Sequence, residues 1–283
     1  MKIIKFIYTI LMFIFFMCIS GCKEIVIMSP KGQIGIEQRN LIVLTSTLML
    51  LLIIPIIIIT LVFILKYKSS NLNSKYNPNW CYSKKIEFFI WIIPIMIVSF
   101  LSYITWNSTH KLDQKKKIIS KYKSINIQVI SMDWKWLFIY PKNNIATINE
   151  IVFPVNIPIK FEITSNSVMN SFFIPQLGSQ MYAMSGMNSV LNLISNKPGN
   201  YKGISSNFSG KGFYGMKFKV IVTPDKYNFL KWIKKVKSSF NIIQNIKDYE
   251  NISYPSEKNK VQYFSFVMPK LYQYVIEKFH QKK

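Results

Sequence analysis

The sequence predicts a membrane α + β protein: a hairpin of two transmembrane helices, an exported antiparallel β-sandwich, and a short helical, aromatic-rich segment at the C-terminus. Three observations carry this prediction. Two long uncharged apolar runs lie in the N-terminal third. Apolar and polar residues then alternate through the middle of the chain, and the spacing becomes helical after Pro224. We place the three parts at residues 22–107, 108–223 and 224–283.

The first 21 residues have the pattern of a secretory signal peptide. Lysines at positions 2 and 5 precede an apolar core over residues 6–19, and the sequence ISGC follows, ending at Cys22. A cysteine at the first mature position resembles a bacterial lipoprotein signal, so we expect the Cys22 thiol to carry a lipid. The alternative is an uncleaved membrane anchor with an incidental cysteine.

Two membrane spans are predicted, at about residues 41–65 and 87–107. The first holds 25 residues without a charge, and the second contains 19 more at residues 88–106. At about 1.5 Å per residue, the first run comfortably spans a hydrocarbon core of about 30 Å. The loop at residues 66–86 is rich in lysine, so we expect it to be cytoplasmic. Both chain ends, and the large C-terminal domain, are then periplasmic to a bacterial inner membrane, which agrees with a lipid on Cys22.

Period-two alternation predicts the strands of a sandwich or barrel. The alternating apolar positions fall into three sets: Ile125, Ile127 and Val129; Ile157, Ile159, Phe161 and Ile163; Met216, Phe218, Val220 and Val222. Seven of the ten glycines lie between Gly178 and Gly215, which marks a loop-rich end. Helical spacing follows at Phe229, Trp232, Ile233 and Val236, and a second aromatic-rich stretch covers residues 261–279.

The composition excludes several functions. The chain has 36 basic and 12 acidic residues, a formal net charge of +24, but the lysines are scattered and the bias resembles that of an AT-rich genome. We therefore expect no nucleic-acid partner. No Gly-x-Ser-x-Gly or phosphate-binding loop is present, and His110 and His280 are the only histidines. Cys18 leaves with the signal, Cys22 is lipidated and Cys81 is cytoplasmic, so we expect no metal site and no catalytic residue.

Five segments of the sequence indicate a specific family. They are PKGQIGIEQR (30–39), KYNPNW (75–80), SMDWKWLFIYP (131–141), TSNSVMNSFFIPQLGSQMYAMSGM (164–187) and GISSNFSGKGFYGM (203–216). Over essentially the whole chain, they resemble subunit II of the haem–copper respiratory oxidases, of the cytochrome bo-type ubiquinol oxidase branch. The resemblance implies that the sandwich is cupredoxin-like.

The resemblance also implies a lost metal centre. In the cytochrome c oxidases, this subunit holds two copper ions through two bridging cysteines, two histidines, a methionine and a backbone carbonyl. The matching positions here are Asn170 and Phe213 at the histidines, Ser205 and Ser209 at the cysteines, Asn207 at the carbonyl donor, and Met216 at the methionine. A serine hydroxyl cannot replace a bridging thiolate. We therefore expect Met216 to be a core residue and Trp134, which matches the electron-entry tryptophan, to be structural.

The implied function is that of subunit II in a proton-pumping ubiquinol oxidase, which oxidises ubiquinol and reduces oxygen to water. The haems, the copper and the quinol chemistry would belong to subunit I. The implied partners are subunit I, further subunits, membrane lipid, and ubiquinol bound by the complex. Residues 107–283 hold 26 basic and 9 acidic side chains, so this part would repel the basic protein cytochrome c.

Glu87 opens the second span, in KKIEFFIWIIP. The resemblance implies that this glutamate lies at the mouth of a proton pathway into subunit I. The alternative is an interfacial acid that stabilises the N-terminus of its helix.

Three rival functions stay open at this point. They are a true cytochrome c oxidase subunit, a copper-less lipid-anchored binding module outside any oxidase, and a degenerate remnant. The missing cysteine and histidine pairs argue against the first, and the retained Trp-x-Trp strand and intact loop lengths argue against the last.

Overall fold

The computed structural model describes residues 25–71, 81–113 and 122–280, together with Met12, Asn79, Ile118 and Ser120. The predicted lipidation residue, Cys22, lies outside these residues. The helices and strands are α1 (Gln33–Lys66), α2 (Lys84–Lys111), β1 (Ile125–Met132), β2 (Lys135–Tyr140), β3 (Ile145–Ile148), β4 (Glu150–Pro154), β5 (Ile159–Ser165), β6 (Asn170–Phe173), β7 (Gln180–Ala183), β8 (Ser189–Leu193), β9 (Gly199–Ser205), β10 (Lys217–Thr223), α3 (Lys226–Lys237), β11 (Ile242–Ile243), α4 (Ile246–Ser253), β12 (Gln262–Phe264), β13 (Phe266–Val267) and α5 (Leu271–Glu277).

Helices α1 and α2 contain the two predicted spans and extend beyond them. Both are long and apolar enough to cross a membrane. They are longer than the uncharged runs because the first turns of α1 and the last turns of α2 are polar and extend towards the sandwich. Nearly all their apolar side chains are exposed in the isolated chain, so lipid or another protein must cover them.

The two helices form an antiparallel hairpin joined to the sandwich. Lys111 Nζ, at the end of α2, lies 2.8 Å from Glu37 Oε1, near the start of α1. The backbone N–H of Gly35 donates to the carbonyl of Leu177 at 3.0 Å, and that of Lys31 donates to the carbonyl of Gln176 at 2.7 Å. Main-chain hydrogen bonds therefore hold the first turn of α1 against the loop between β6 and β7.

The sandwich has two sheets around one core. The six-stranded sheet has the order β12-β3-β2-β1-β5-β8, and the five-stranded sheet has the order β4-β10-β9-β6-β7. Most neighbours are antiparallel, but β1 pairs with β5 and β10 with β4 in parallel, so the sheets are mixed where the sequence predicted antiparallel ones. The chain crosses to the other sheet at β4 before it returns at β5, and only such a long crossover brings strands together in parallel.

A second core lies on the outer face of the six-stranded sheet. Side chains of β1 and β2, such as Met132 and Leu137, pack there against Tyr249, Leu271 and other residues of the C-terminal segment. Strand β2 is consequently buried at all six positions.

The C-terminal segment departs from the helical prediction for residues 224–283. Helix α3 is where the sequence placed it, and α4 and α5 follow. However, β12 extends the six-stranded sheet beside β3, and β11 and β13 form a small parallel sheet. These strands are only two or three residues long, so they have no periodicity of their own and depend on the strands beside them.

Candidate functional site

The loops that carry the six predicted metal-ligand positions meet at one end of the sandwich. Asn170 begins β6 and Ser205 ends β9, on neighbouring strands of the five-stranded sheet. The Ser205 hydroxyl donates to Asn170 Oδ1 at 3.0 Å, and the Ser205 N–H donates to the carbonyl of Met216 at 3.2 Å. All three residues are buried. The fold thus brings together positions that lie 46 residues apart at most, 170 to 216.

The remaining three positions belong to the loop between β9 and β10. The carbonyl of Asn207 lies 3.4 Å from Ser205 Oγ, so the half-buried Asn207 borders the buried group. Ser209 contributes its carbonyl to the indole N–H of Trp134, at 3.0 Å. The Phe213 ring packs edge-on against Phe208, with centroids 5.7 Å apart.

The chemistry of these donors does not fit a copper centre. Ser205 uses its hydroxyl proton in a hydrogen bond to Asn170, whose amide N–H donates to the carbonyl of Val168 at 3.3 Å. Met216 is buried in the sandwich core. Copper favours thiolate, thioether and imidazole ligands, and the thioether of Met216 is the only such group among the six positions. Within the part of the chain that the structure describes, no three His, Cys, Asp or Glu side chains are grouped to hold a metal ion.

Trp134 holds the loop in place. Its backbone is in the left-handed region, with φ of 63°, which is rare for a bulky residue. The ring lies flat on the glycines of the loop, and a Cβ on Gly212 would lie 2.4 Å from it. Together with the bond to the Ser209 carbonyl, these contacts agree with the structural role predicted for Trp134. The second tryptophan of the pair, Trp136, is fully buried against Phe172.

Two buried charged residues went unnoticed in the sequence. Lys135 donates to the carbonyl of Tyr254 at 2.8 Å and to Ser256 Oγ at 2.6 Å, and burial lowers the pKa of its ammonium group. Glu150 Oε1 accepts hydrogen bonds from Tyr263 at 2.7 Å and from the indole of Trp232 at 3.1 Å. The sequence did contain a signal for their burial. Lys135 is the single charge in the apolar run WKWLFIY, and Glu150 is the single charge in EIVF.

Glu87 lies at the end of the hairpin remote from the sandwich. It is exposed in the first turn of α2, where its N–H donates to the carbonyl of Ser83 at 3.0 Å. A hydrogen bond to the Glu87 carboxylate raises the pKa of Tyr82, which precedes the helix. His110 is at the opposite end of α2, with its ring against Trp106.

Two family models match the chain. The first, the periplasmic domain of cytochrome c oxidase subunit II, covers residues 119–222, from the approach to β1 through β10. The second, the cytochrome oxidase aromatic-rich motif, covers residues 245–283. This motif coincides with most of the segment that builds the second core.

Curated relatives match almost the whole chain. A cytochrome bo(3) ubiquinol oxidase subunit 2 of Buchnera aphidicola subsp. Schizaphis graminum is 50% identical over 278 residues, 98% of this chain and 96% of the relative. The protein of that name from Pseudomonas putida is 48% identical over 96% of this chain and 86% of its own. Among solved structures, the periplasmic domain of cytochrome oxidase subunit II from Bradyrhizobium japonicum is 24% identical, with a TM-score of 0.39 over 42% of this chain and 96% of its own. The two relatives are about half identical to this chain over nearly its whole length, so the chain belongs to the family of cytochrome bo(3) ubiquinol oxidase subunit 2.

Proposed function

We propose that this chain is the non-redox subunit 2 of a proton-pumping terminal oxidase that oxidises ubiquinol and reduces oxygen to water. The observation that carries this proposal is the 50% identity, over 98% of the chain, to a ubiquinol oxidase subunit 2. In this proposal the haems, the copper and the ubiquinol site belong to the large subunit I. The present chain contributes the membrane hairpin and a cap outside the membrane.

Two properties support a ubiquinol rather than a cytochrome c oxidase. The six positions that match the copper ligands carry hydroxyl, amide, phenyl and thioether groups, which do not suit a copper centre through which electrons could enter at these positions. The basic excess beyond residue 107 would also repel a basic electron-carrier protein. Both properties argue against a cytochrome c oxidase. The identity to the relatives is the argument in favour of a ubiquinol oxidase.

The proposed topology places the sandwich in the periplasm. Lys66, Lys68, Lys84 and Lys85 flank the inner ends of the helices, which favours a cytoplasmic position for the connecting loop. Both chain ends then face the periplasm, where Cys22 would receive a lipid anchor. Mass spectrometry of the mature N-terminus tests the anchor, because a free N-terminus upstream of Cys22 would contradict it.

Isolation of the complex tests the main proposal. The full-length chain would be tagged at its C-terminus, extracted in mild detergent, and assayed for haem, copper and oxygen uptake. We expect a haem-bearing large subunit to copurify, and oxygen uptake with ubiquinol but not with reduced cytochrome c. Uptake with cytochrome c would support the cytochrome c oxidase alternative. A preparation without haem would support a binding module outside any oxidase.

We further propose that Glu87 lies at a proton entrance to the complex. An ionisable side chain at the cytoplasmic end of a span is a candidate for proton transfer, and its hydrogen bond with Tyr82 gives it a second exchangeable proton nearby. Substituting Glu87→Ala should slow ubiquinol turnover and proton uptake severalfold while the complex still assembles.

Glu37→Ala is the matched control for Glu87. Glu37 is also an acid on a membrane helix, but it lies at the opposite end of the hairpin and pairs with Lys111. Turnover by the Glu37 variant should equal that of the wild type. If the Glu87 variant also turned over at the wild-type rate, the role of Glu87 would be limited to stabilising its own helix.

A further inference from the structure

A short apolar segment lies immediately before the first membrane helix. Ile25, Val26, Ile27 and Met28 are consecutive, and each is exposed, by between 39% and 54% of its surface. The last three form a single turn of 3-10 helix, so their side chains point in different directions and do not bury one another. We name residues 25–28 the apolar turn. Four consecutive exposed apolar residues do not suit a water-facing surface, which indicates that another molecule covers them.

The apolar turn lies beside the outer end of α1. The chain reverses its direction at Pro30, and a Cβ placed on Gly35, in the first turn of α1, would lie 2.9 Å from the Cβ of Pro30. Ile27 lines a groove together with Leu41 and Ile42, which lie further along the same helix. From Gly35 to Leu41 the helix advances by six residues, about 9 Å. The apolar turn therefore runs back along α1, away from the sandwich and towards the membrane.

Leu41 marks the level of the membrane at this place. It is the first residue of the uncharged run at residues 41–65, which is long enough to cross the hydrocarbon core. A side chain that shares a groove with Leu41 and Ile42 therefore lies at the boundary between acyl chains and headgroups. Ile42 and Val43 are themselves exposed, so the apolar surface of the turn continues into the lipid-facing surface of α1.

Main-chain hydrogen bonds fix the position of the apolar turn. Lys31, three residues after the turn, donates its N–H to the carbonyl of Gln176 at 2.7 Å, and its carbonyl accepts from the N–H of Asn196 at 2.8 Å. Both partners belong to loops of the sandwich, one between β6 and β7 and the other between β8 and β9. An apolar group that is already ordered loses little conformational entropy when it is covered by another molecule.

The charge beside the apolar turn suits a phospholipid. Arg39 is the only arginine in the chain and lies two residues before the uncharged run. Its guanidinium donates to Asn40 Oδ1 at 3.0 Å, and the ion pairs among the described residues do not include it. A guanidinium binds phosphate through two parallel hydrogen bonds, so Arg39 matches the phosphate of a lipid whose acyl chains contact the turn.

We propose that the apolar turn is an interfacial membrane anchor, inserted among the phospholipids of the outer leaflet beside α1, with Arg39 at the level of their phosphates. The turn holds the chain before α1 at the bilayer surface whether or not Cys22 carries a lipid. This inference goes beyond the proposed function, because it requires the membrane hairpin but no haem-bearing partner.

Photo-crosslinking to labelled lipid tests this anchor. An aliphatic diazirine amino acid would replace Ile27, Ile57 or Leu230 in three variants of the full chain. Each variant would be purified with its partners and reconstituted in vesicles of isotope-labelled phosphatidylethanolamine and phosphatidylglycerol.

Two of these positions are controls. Ile57, 52% exposed within the uncharged run of α1, is the positive control. Leu230, 45% exposed on α3, is the matched negative control. Helix α3 is bonded to β4, and β4 and β7 are opposite edges of the five-stranded sheet. The hairpin lies beside β7, where Met181 lines the groove between α1 and α2.

Mass spectrometry after irradiation distinguishes the outcomes. We expect labelled phospholipid on the peptides that contain positions 27 and 57, and none on the peptide that contains position 230. Labelled lipid at position 57 alone would overturn the proposal. A product at position 27 with another protein chain, or with an unlabelled acyl chain on Cys22, would also overturn it. The haem content of the same preparations reports on the proposed function, so a failure of either proposal can be recognised separately.

Discussion

Two buried tyrosines show how single polar groups set the stability of this chain. The Tyr140 hydroxyl donates to the carbonyl of Val152 and accepts from its N–H, each at 2.9 Å. Tyr249 is equally buried, but its hydroxyl has no hydrogen-bond partner among the described residues. Burial raises the pKa of both tyrosines above the usual value of 10.0. The two hydroxyl groups are chemically identical, but the paired one should stabilise the fold and the unpaired one should destabilise it.

Replacing each tyrosine by phenylalanine tests this contrast. Tyr249→Phe removes an unpaired buried hydroxyl and should raise the free energy of unfolding by about 1 kcal/mol, whereas Tyr140→Phe leaves both backbone groups of Val152 without a partner and should lower it by about 1–3 kcal/mol. Thermal unfolding of the purified full chain measures both changes. Equal shifts in the two variants would show that hydrogen bonding does not distinguish these sites.

The dependence on pH gives an independent check on Tyr249. A raised pKa in the folded state stabilises the fold fully below pH 10.0, the unfolded value, and this stabilisation is lost as the pH rises above it. Each such tyrosine removes up to about 1.4 kcal/mol per pH unit, a slope that is reached once the pH is well above 10.0. The stability of Tyr249→Phe should therefore fall less steeply than that of the wild type between pH 10 and 11.

At the scale of elements, the C-terminal segment changes the six-stranded sheet from one with a single covered face to one with two. Its attachment includes a buried carboxylate. Glu150, at the start of β4, accepts hydrogen bonds from Trp232 on α3 and from Tyr263 on β12. One oxygen atom thus ties two elements of the segment to the sandwich.

Substitution of Glu150 should loosen these two elements together. Glu150→Leu leaves the Trp232 and Tyr263 donors unpaired and should cost about 2 kcal/mol, whereas Glu150→Gln keeps an acceptor oxygen and should cost less. Hydrogen exchange in the full chain should become faster in α3 and β12 for the leucine variant. Unchanged exchange there would contradict the role given to this carboxylate.

At the scale of the whole molecule, glycine allows the hairpin and the sandwich to touch through their backbones. A Cβ on Gly32 would lie 2.7 Å from the carbonyl oxygen of Ile194 and 3.0 Å from that of Leu177. Main-chain atoms cannot rotate away as a side chain would. The membrane part and the extramembrane part are therefore held in one orientation by a contact that any larger residue would widen.

Gly32→Ala should weaken this junction by about 1–3 kcal/mol, the usual cost of overpacking. The measurement is the rate at which protease cuts residues 25–32, the segment that precedes α1 and packs on the sandwich through Gly32, in membranes. Gly215→Ala is the control, because the nearest atoms to its added Cβ are 3.8 Å away. Cleavage of the Gly32 variant at the rate of the control would show that the junction tolerates the extra carbon.

Local sequence patterns predicted the helices that lie in uncharged runs and the strands that bury only one face. The absence of charge identified α1 and α2, and alternation identified β5 and β10, because each of these strands has one face towards the core. Strand β2 does not alternate because the C-terminal segment covers its second face. The donors to Glu150 lie 82 and 113 residues away in the chain, so no local pattern could reveal them. The family resemblance predicted the metal-ligand positions, whereas the hydrogen bonds between them could be seen only in the fold.

The second core has a consequence for how the chain is made. Synthesis proceeds from the N-terminus, so Phe264, Leu271 and Val275 emerge after strands β1–β10. Until then, Ile130, Leu137 and Ile139 lie on an uncovered apolar face of a sheet that also lacks its edge strand β12. Nascent chains at this stage expose an apolar surface that favours aggregation and chaperone binding. A product that stops before residue 264 continues to expose this surface. The sandwich therefore cannot bury both faces of its six-stranded sheet until the aromatic-rich segment has been made.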